Sequence, residues 1–139
     1  LFIFSSLIPS FAAAKESLDI GDTKIKQVKW IALNTDNSDV ILGNVEEGNL
    51  ISAIGERKNV IDSSFILAPD PVGRSKDVEI IYTTASEAIA NNLLRKYGIK
   101  IIYISDSTRD IYNIDKLKYA EGSSCFEAIR NGRYYVFKC

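Results

Sequence analysis

The 139-residue chain contains no histidine and no methionine, and it has only two cysteines and three prolines. Without histidine it lacks the commonest general base and the commonest metal ligand. Serine–histidine and cysteine–histidine hydrolysis are therefore excluded within this chain. Two cysteines cannot build a four-ligand zinc site of the usual kind. The phosphate-binding patterns GxGxxG and GxxxxGK[ST] are missing, as are HExxH and any N-x-[ST] sequon. These absences lead us to expect no cofactor and no catalytic residue. The net charge is −1 and no Lys/Arg run is long enough for a basic patch, which argues against a nucleic-acid partner. Lys24, Lys26 and Lys29 share one segment and read as a solvated helix face. Because no Met occurs even at position 1, the chain is expected to be a fragment or a processed product.

What is present divides the chain unevenly. Leu1–Ala14 (LFIFSSLIPSFAAA) is almost wholly apolar, and residues 15–139 read as a single charged, soluble domain. Fourteen apolar residues fall short of the ~20 that cross a bilayer. Three readings stand for them: the end of a transmembrane helix, the apolar part of a signal peptide, or a core helix interrupted near Pro9. The first two attach the chain to a membrane and put residues 15–139 outside the cytoplasm. The scarcity of thermolabile side chains, with a quarter of residues charged, is compatible with a thermophile.

The fold class expected is α/β: a small mixed β-sheet with two or three packed helices and a C-terminal β-hairpin. Asp22 or Thr23 can cap a helix running to about Leu33, with Trp30 in its core side. Asp39–Leu42 reads as a strand. Asn44 and Glu47 form a capping box for the next helix, which Gly55 ends, and Lys58–Ile61 reads as another strand. Asp62–Tyr82 holds Pro69 and Pro71 and is expected to be a long surface excursion. Thr84 and Glu87 suggest a second capping box, opening a helix that Gly98 stops. Ile99–Ile104 is a strand buried on both faces. Asn131-Gly132 marks a hairpin between two strand-like runs.

Cys125 and Cys139 are expected to form a disulfide. A three-residue loop, Asn131–Arg133, sets them directly opposite, within disulfide reach. A two-residue loop would set Cys125 against Lys138 instead, and two free thiols remain the other reading.

The residues Trp30–Thr35, Asp39–Leu42, Gly55–Val60 and Ala88–Asp106, with Ser124–Glu127 and Tyr135–Phe137, resemble a known pattern. The chain is similar to the extracytoplasmic domain of archaeal multi-spanning, GT-C-type membrane glycosyltransferases, the group that includes the oligosaccharyltransferase catalytic subunit. The resemblance implies a non-catalytic domain on the extracytoplasmic side of the cell membrane. It would help position a lipid-linked sugar or a protein acceptor. The sequence departs from oligosaccharyltransferase where that enzyme carries Trp-Trp-Asp-Tyr-Gly. The matching stretch here is Gly43–Gly48, so acceptor reading is not carried over. A free-standing secreted or membrane-anchored interaction module is the alternative.

Three places carry candidate chemistry. Asp70, Arg74 and Asp77 lie on the proline-bearing segment, where an Arg could clamp a phosphate or carboxylate, or simply form a surface ion pair. Ser105, Asp106 and Arg109 follow the buried strand's C-terminal end, where α/β sheets place ligands; a self-satisfied polar turn is the other reading. Glu46 and Glu47 read as helix-capping charge rather than ligand contacts.

A polypeptide beginning at Lys15 is expected to be soluble and to melt cooperatively, because it carries its own caps, strands and core residues. If it is unfolded while the longer chain is folded in water without detergent, Leu1–Ala14 belongs to the core.

Overall fold

The computed structural model describes residues 21–139; the apolar segment Leu1–Ala14 and the start of the polar linker lie outside the described residues. The described chain holds five α-helices and one five-stranded mixed sheet. The elements run α1 (21–34), β1 (Val40–Leu42), α2 (Val45–Ala53), β2 (Lys58–Asn59), α3 (Pro71–Thr83), α4 (Glu87–Tyr97), β3 (Ile99–Tyr103), α5 (Asp106–Tyr112), β4 (Phe126–Ile129) and β5 (Tyr134–Phe137). Two short 3₁₀ turns, Phe65–Leu67 and Lys118–Ala120, complete it.

The strand order is β2-β1-β3-β5-β4. β1 pairs in parallel with both β2 and β3, while β5 runs antiparallel to β3 and β4. Period-2 alternation explains how the sheet is covered on both sides. Ile41, Ile101, Tyr103 and Tyr134 meet Val28 and Ile31 of α1 and Ile51 of α2. Leu42, Ile102, Ile104, Tyr135 and Phe137 meet Val78, Ile81 and Tyr82 of α3 and Ala90 and Leu94 of α4. The α/β class with a C-terminal hairpin is as expected, and more helices pack on the sheet than the sequence reading placed there.

The extra helices correct that reading. Asp62–Tyr82 is no surface excursion: it folds into a 3₁₀ turn and the 13-residue helix α3. Asp70 caps α3 by accepting from the Gly73 N–H, and Pro71 occupies the first turn, where its missing N–H costs nothing. The prolines therefore start a helix, and Val78, Ile81 and Tyr82 are buried on its inner face. Residues 106–110 of the expected polar turn belong to α5, which Ser105 caps through the Thr108 N–H. Asp22 and Thr23 lie inside α1 rather than at a cap. The cap of α4 is Ser86, whose side chain accepts from Ile89 N, while Thr84 accepts from Ser86 N. The Asn44–Glu47 capping box of α2 is present in both directions.

The hairpin differs from the three-residue count. Ile129 and Tyr134 close a turn of residues 130–133, in which Arg130, Asn131 and Gly132 all take positive φ. Adding two residues to Asn131-Gly132 keeps the register of a two-residue loop, so Lys138 N donates to Cys125 O at 2.8 Å. Cys125 and Cys139 are thus diagonal rather than opposed. Their Cα atoms are still 5.1 Å apart and the sulfurs are joined at 2.02 Å.

Arg57 fastens the bottom of α1. Its guanidinium donates to the Ala32 and Thr35 carbonyls, each at 2.7 Å, and to Thr35 Oγ1 and Asn37 Oδ1. These are the carbonyls that a helix end leaves without partners, and a cation suits the negative end of the helix dipole. On the same side of the sheet Trp30 stacks on Tyr134, with ring centroids 4.1 Å apart, so it contributes packing as expected.

Gly48 fixes the approach of α2 to the segment after β2. A Cβ there would stand 1.8 Å from the Ile61 carbonyl oxygen. Gly48→Ala is expected to cost at least about 3 kcal/mol, far beyond the usual cost of a surface change. Urea unfolding checks this; a loss under about 1 kcal/mol would mean the two segments are not held this close.

Candidate functional site

β1 and β3 are adjacent and parallel, yet their following helices lie on opposite faces of the sheet. Ile51 of α2 packs with α1, whereas Tyr112 of α5 stacks on Tyr82 of α3 at 4.7 Å. This is a topological switch point, the crevice where open α/β sheets bind ligands. Here the crevice is filled by the chain's own carboxylate.

Glu47 has no solvent exposure and stands between the starts of α2 and α5. Asn44 N–H donates to Glu47 Oε2 at 2.9 Å. Thr108 Oγ1 donates to the same carboxylate at 3.0–3.1 Å, and Ser105 Oγ also hydrogen-bonds it. Ser107 Oγ lies 3.4 Å from Oε1 and receives hydrogen bonds from Asn44 Nδ2 at 3.0 Å and Lys24 Nζ at 3.4 Å. Lys24 also pairs with Glu46 at 3.6 Å. Gly43 leaves the space for this arrangement: a Cβ on it would come within 2.9–3.0 Å of Glu47.

Burial is the largest influence on the Glu47 carboxyl and pushes it above its ordinary value of 4.5. The hydrogen bonds from Ser105, Asn44 and Thr108 and the charge of Lys24 pull the other way without cancelling it. Burial likewise raises the hydroxyls of Tyr82 and Tyr103, and the charge of Glu47 adds to the rise in both. With its oxygens committed to internal donors, Glu47 is built to join two helices, not to move protons to a substrate.

The sequence-chosen residues are dispersed. Ser105 is the one that belongs to this cluster. Asp106 points away and pairs with Arg133 at 3.1 Å. Arg109, on α5, lines a separate depression with Asp110, Asn113 and Asp115. Asp70 caps α3. Arg74 and Asp77 meet at Tyr97: the Arg74 guanidinium lies 5.4 Å over the ring, and the Tyr97 hydroxyl donates to Asp77 at 2.6 Å. Lys96 Nζ is also 2.6 Å from Asp77. Desolvation raises the Asp77 carboxyl, but the Lys96 and Tyr97 hydrogen bonds together with the Lys96 charge outweigh it and leave it below its usual value. Sequence reasoning placed Glu47 in its capping box but missed its meeting with Ser105 and Thr108, some 60 residues away. The available signal was three hydroxyls, Ser105, Ser107 and Thr108, directly after the most apolar strand.

The fold and site define a mixed α/β domain whose switch-point crevice is closed by an internal carboxylate. No protein-family description matches the chain, and no curated protein does. Among solved structures its fold is similar to the C-terminal globular domain of an oligosaccharyltransferase from Archaeoglobus fulgidus. The two superpose with a TM-score of 0.56 at 12% identity, covering 81% of this chain and 95% of that one. Among the described residues no helix is long and apolar enough to cross a membrane.

Two variants probe the cluster. Glu47→Ala strands several buried donors and is expected to cost about 3–5 kcal/mol, against about 1–3 kcal/mol for Glu47→Gln. The raised carboxyl means that the folded state holds its proton more tightly than the unfolded state. That stabilisation is present in full below the ordinary value and is lost as pH rises through the raised one. Wild type is therefore expected to gain stability relative to Glu47→Gln as pH falls through the raised value toward the ordinary 4.5, read by urea unfolding. Parallel pH profiles would show that burial does not raise the group.

Proposed function

We propose that the chain is a non-catalytic domain of an oligosaccharyltransferase-like membrane protein, on the extracytoplasmic side, where it helps hold a lipid-linked donor or a protein acceptor near the membrane. The observation that carries this reading is the fold likeness that takes in 95% of the archaeal oligosaccharyltransferase domain. Three further features support it. The one fully buried acid among the described residues is spent on joining helices. The apolar residues 1–14 suit a junction with a membrane segment. A disulfide pair fits an oxidising compartment. In this reading catalysis belongs to other parts of such a protein, and the domain contributes shape and placement.

The test has two arms. The purified chain, given a lipid-linked oligosaccharide and an acceptor peptide, is expected to transfer no sugar. Turnover abolished by a single Asp or Glu substitution would overturn the non-catalytic reading. Alkylation of never-reduced protein under non-reducing conditions, followed by intact-mass measurement, is expected to label neither Cys125 nor Cys139. Two labelled thiols would contradict the extracytoplasmic placement.

A further inference from the structure

The outward side of α1 carries a face that neither the core nor the Glu47 crevice uses. Lys26, Lys29, Trp30 and Leu33 stand at positions i, i+3, i+4 and i+7, which fall together on one side of a helix. Val28 and Ile31 point the other way and are fully buried against the sheet. Lys26 and Lys29 are exposed, and Leu33 is 85% exposed. Trp30 is half-buried. Its ring stacks on Tyr134, and the Arg130 guanidinium stands 5.4 Å from its centroid. The turn between β4 and β5 thus brings a third cation to the same face.

None of these three cations pairs with a carboxylate among the described residues. The ion pairs there engage Lys24, Lys96, Lys116, Arg133 and Lys138 instead. Asp22, one turn before Lys26, is the only acid in α1. A helix face of lysines with a tryptophan and a leucine suits the interface of a membrane, where the indole and the aliphatic lysine stems sit at headgroup level. The order of the chain points to the same place. Leu1–Ala14 is apolar, and only residues 15–20 separate it from the start of α1. Fully extended, that stretch spans at most about 25 Å. With Leu1–Ala14 in a bilayer, α1 is the described element tethered nearest to the headgroups.

We infer that this face of α1 docks on a membrane surface that carries anionic phospholipid headgroups. Lys26, Lys29 and Arg130 meet the phosphates, and Trp30 and Leu33 enter between the headgroups. Charge complementarity selects the occupant. An uncharged partner would leave three unpaired cations against an apolar contact, whereas headgroup phosphates neutralise them and the acyl boundary takes up the indole and the leucine. The inference rests on the membrane setting proposed above and adds an orientation to it. The side of the sheet covered by α1 and α2 faces the bilayer, and the side covered by α3 and α4 is turned away.

Trp30 is the single tryptophan, so its fluorescence reads this face directly. The full chain is mixed with vesicles of equal parts phosphatidylglycerol and phosphatidylcholine, and separately with vesicles of phosphatidylcholine alone. On the anionic vesicles Trp30 emission is expected to move to the blue and to be shielded from acrylamide, and high salt is expected to reverse both. The double variant Lys26→Gln/Lys29→Gln is expected to lower the docking constant about 25-fold, or about fivefold per charge removed. Leu33→Ser changes an exposed side chain and leaves the core intact, and it is expected to lower the constant about threefold. Sedimentation of the chain with each vesicle is scored separately. If the chain sediments with both while Trp30 is unchanged, the docking is overturned and the membrane setting stands. If it sediments with neither, the membrane setting itself fails. Four other results would overturn the docking: an equal Trp30 response on the neutral vesicles, the same response to heparin without lipid, a response that follows chain concentration without lipid, or an unchanged constant in both variants.

Discussion

A carboxylate removed from water has to be met by donors on every side, and that requirement on Glu47 organises the upper half of this domain. The donors come from the Asn44 backbone and from Ser105 and Thr108. They can reach one carboxylate only if β1 and β3 end level and α2 and α5 start together on opposite faces of the sheet. Thr108 N in turn donates to Ser105 Oγ, so the cap of α5 and the ligand of Glu47 are the same hydroxyl. A shift of either helix by one residue would leave a buried charge uncompensated, a cost of several kcal/mol. Register, helix starts and the crevice are therefore fixed together.

The lower half is held by a different device. Arg57 gathers the end of α1 through carbonyl and side-chain oxygens, without a carboxylate partner. The two faces of the sheet are covered separately, by α1 and α2 on one side and α3 and α4 on the other. The disulfide ties the last residue to the start of β4, where the ladder has already ended. Each of these closes a part of the structure that local propensity leaves loose. The sheet is left with two unlike margins: β4 is secured at one end by the cross-link, whereas β2 is two residues long and has Arg74 and an aliphatic rim beside it.

The filled crevice bears on function. Folds of this topology commonly place a ligand at the switch point because helix starts offer free N–H groups there. Glu47 supplies that negative group from within the chain, so the position is occupied before any ligand arrives. This agrees with the non-catalytic role proposed for the domain.

The sequence by itself determined the strands and the cap of α2. Ile99–Tyr103 is legible because a continuous apolar run has no other comfortable place than a sheet covered on both faces. The Asn44–Glu47 box is legible because its partners are three residues apart. Pro69 and Pro71 misled, since a proline marks a loop or a helix start equally well, and the weak apolar periodicity of α3 did not separate them. The cysteine pair was legible as a pair, but its register was not, because Arg130 and Asn131 adopt left-handed backbone that their residue types do not announce. Only the tertiary structure decided that Glu47 and Ser105, 58 residues apart, share a hydrogen bond, and that Arg74 donates to the Val60 carbonyl while covering the Tyr97 ring. Pattern and capping act over a few residues, whereas these contacts depend on how three layers come to rest against one another.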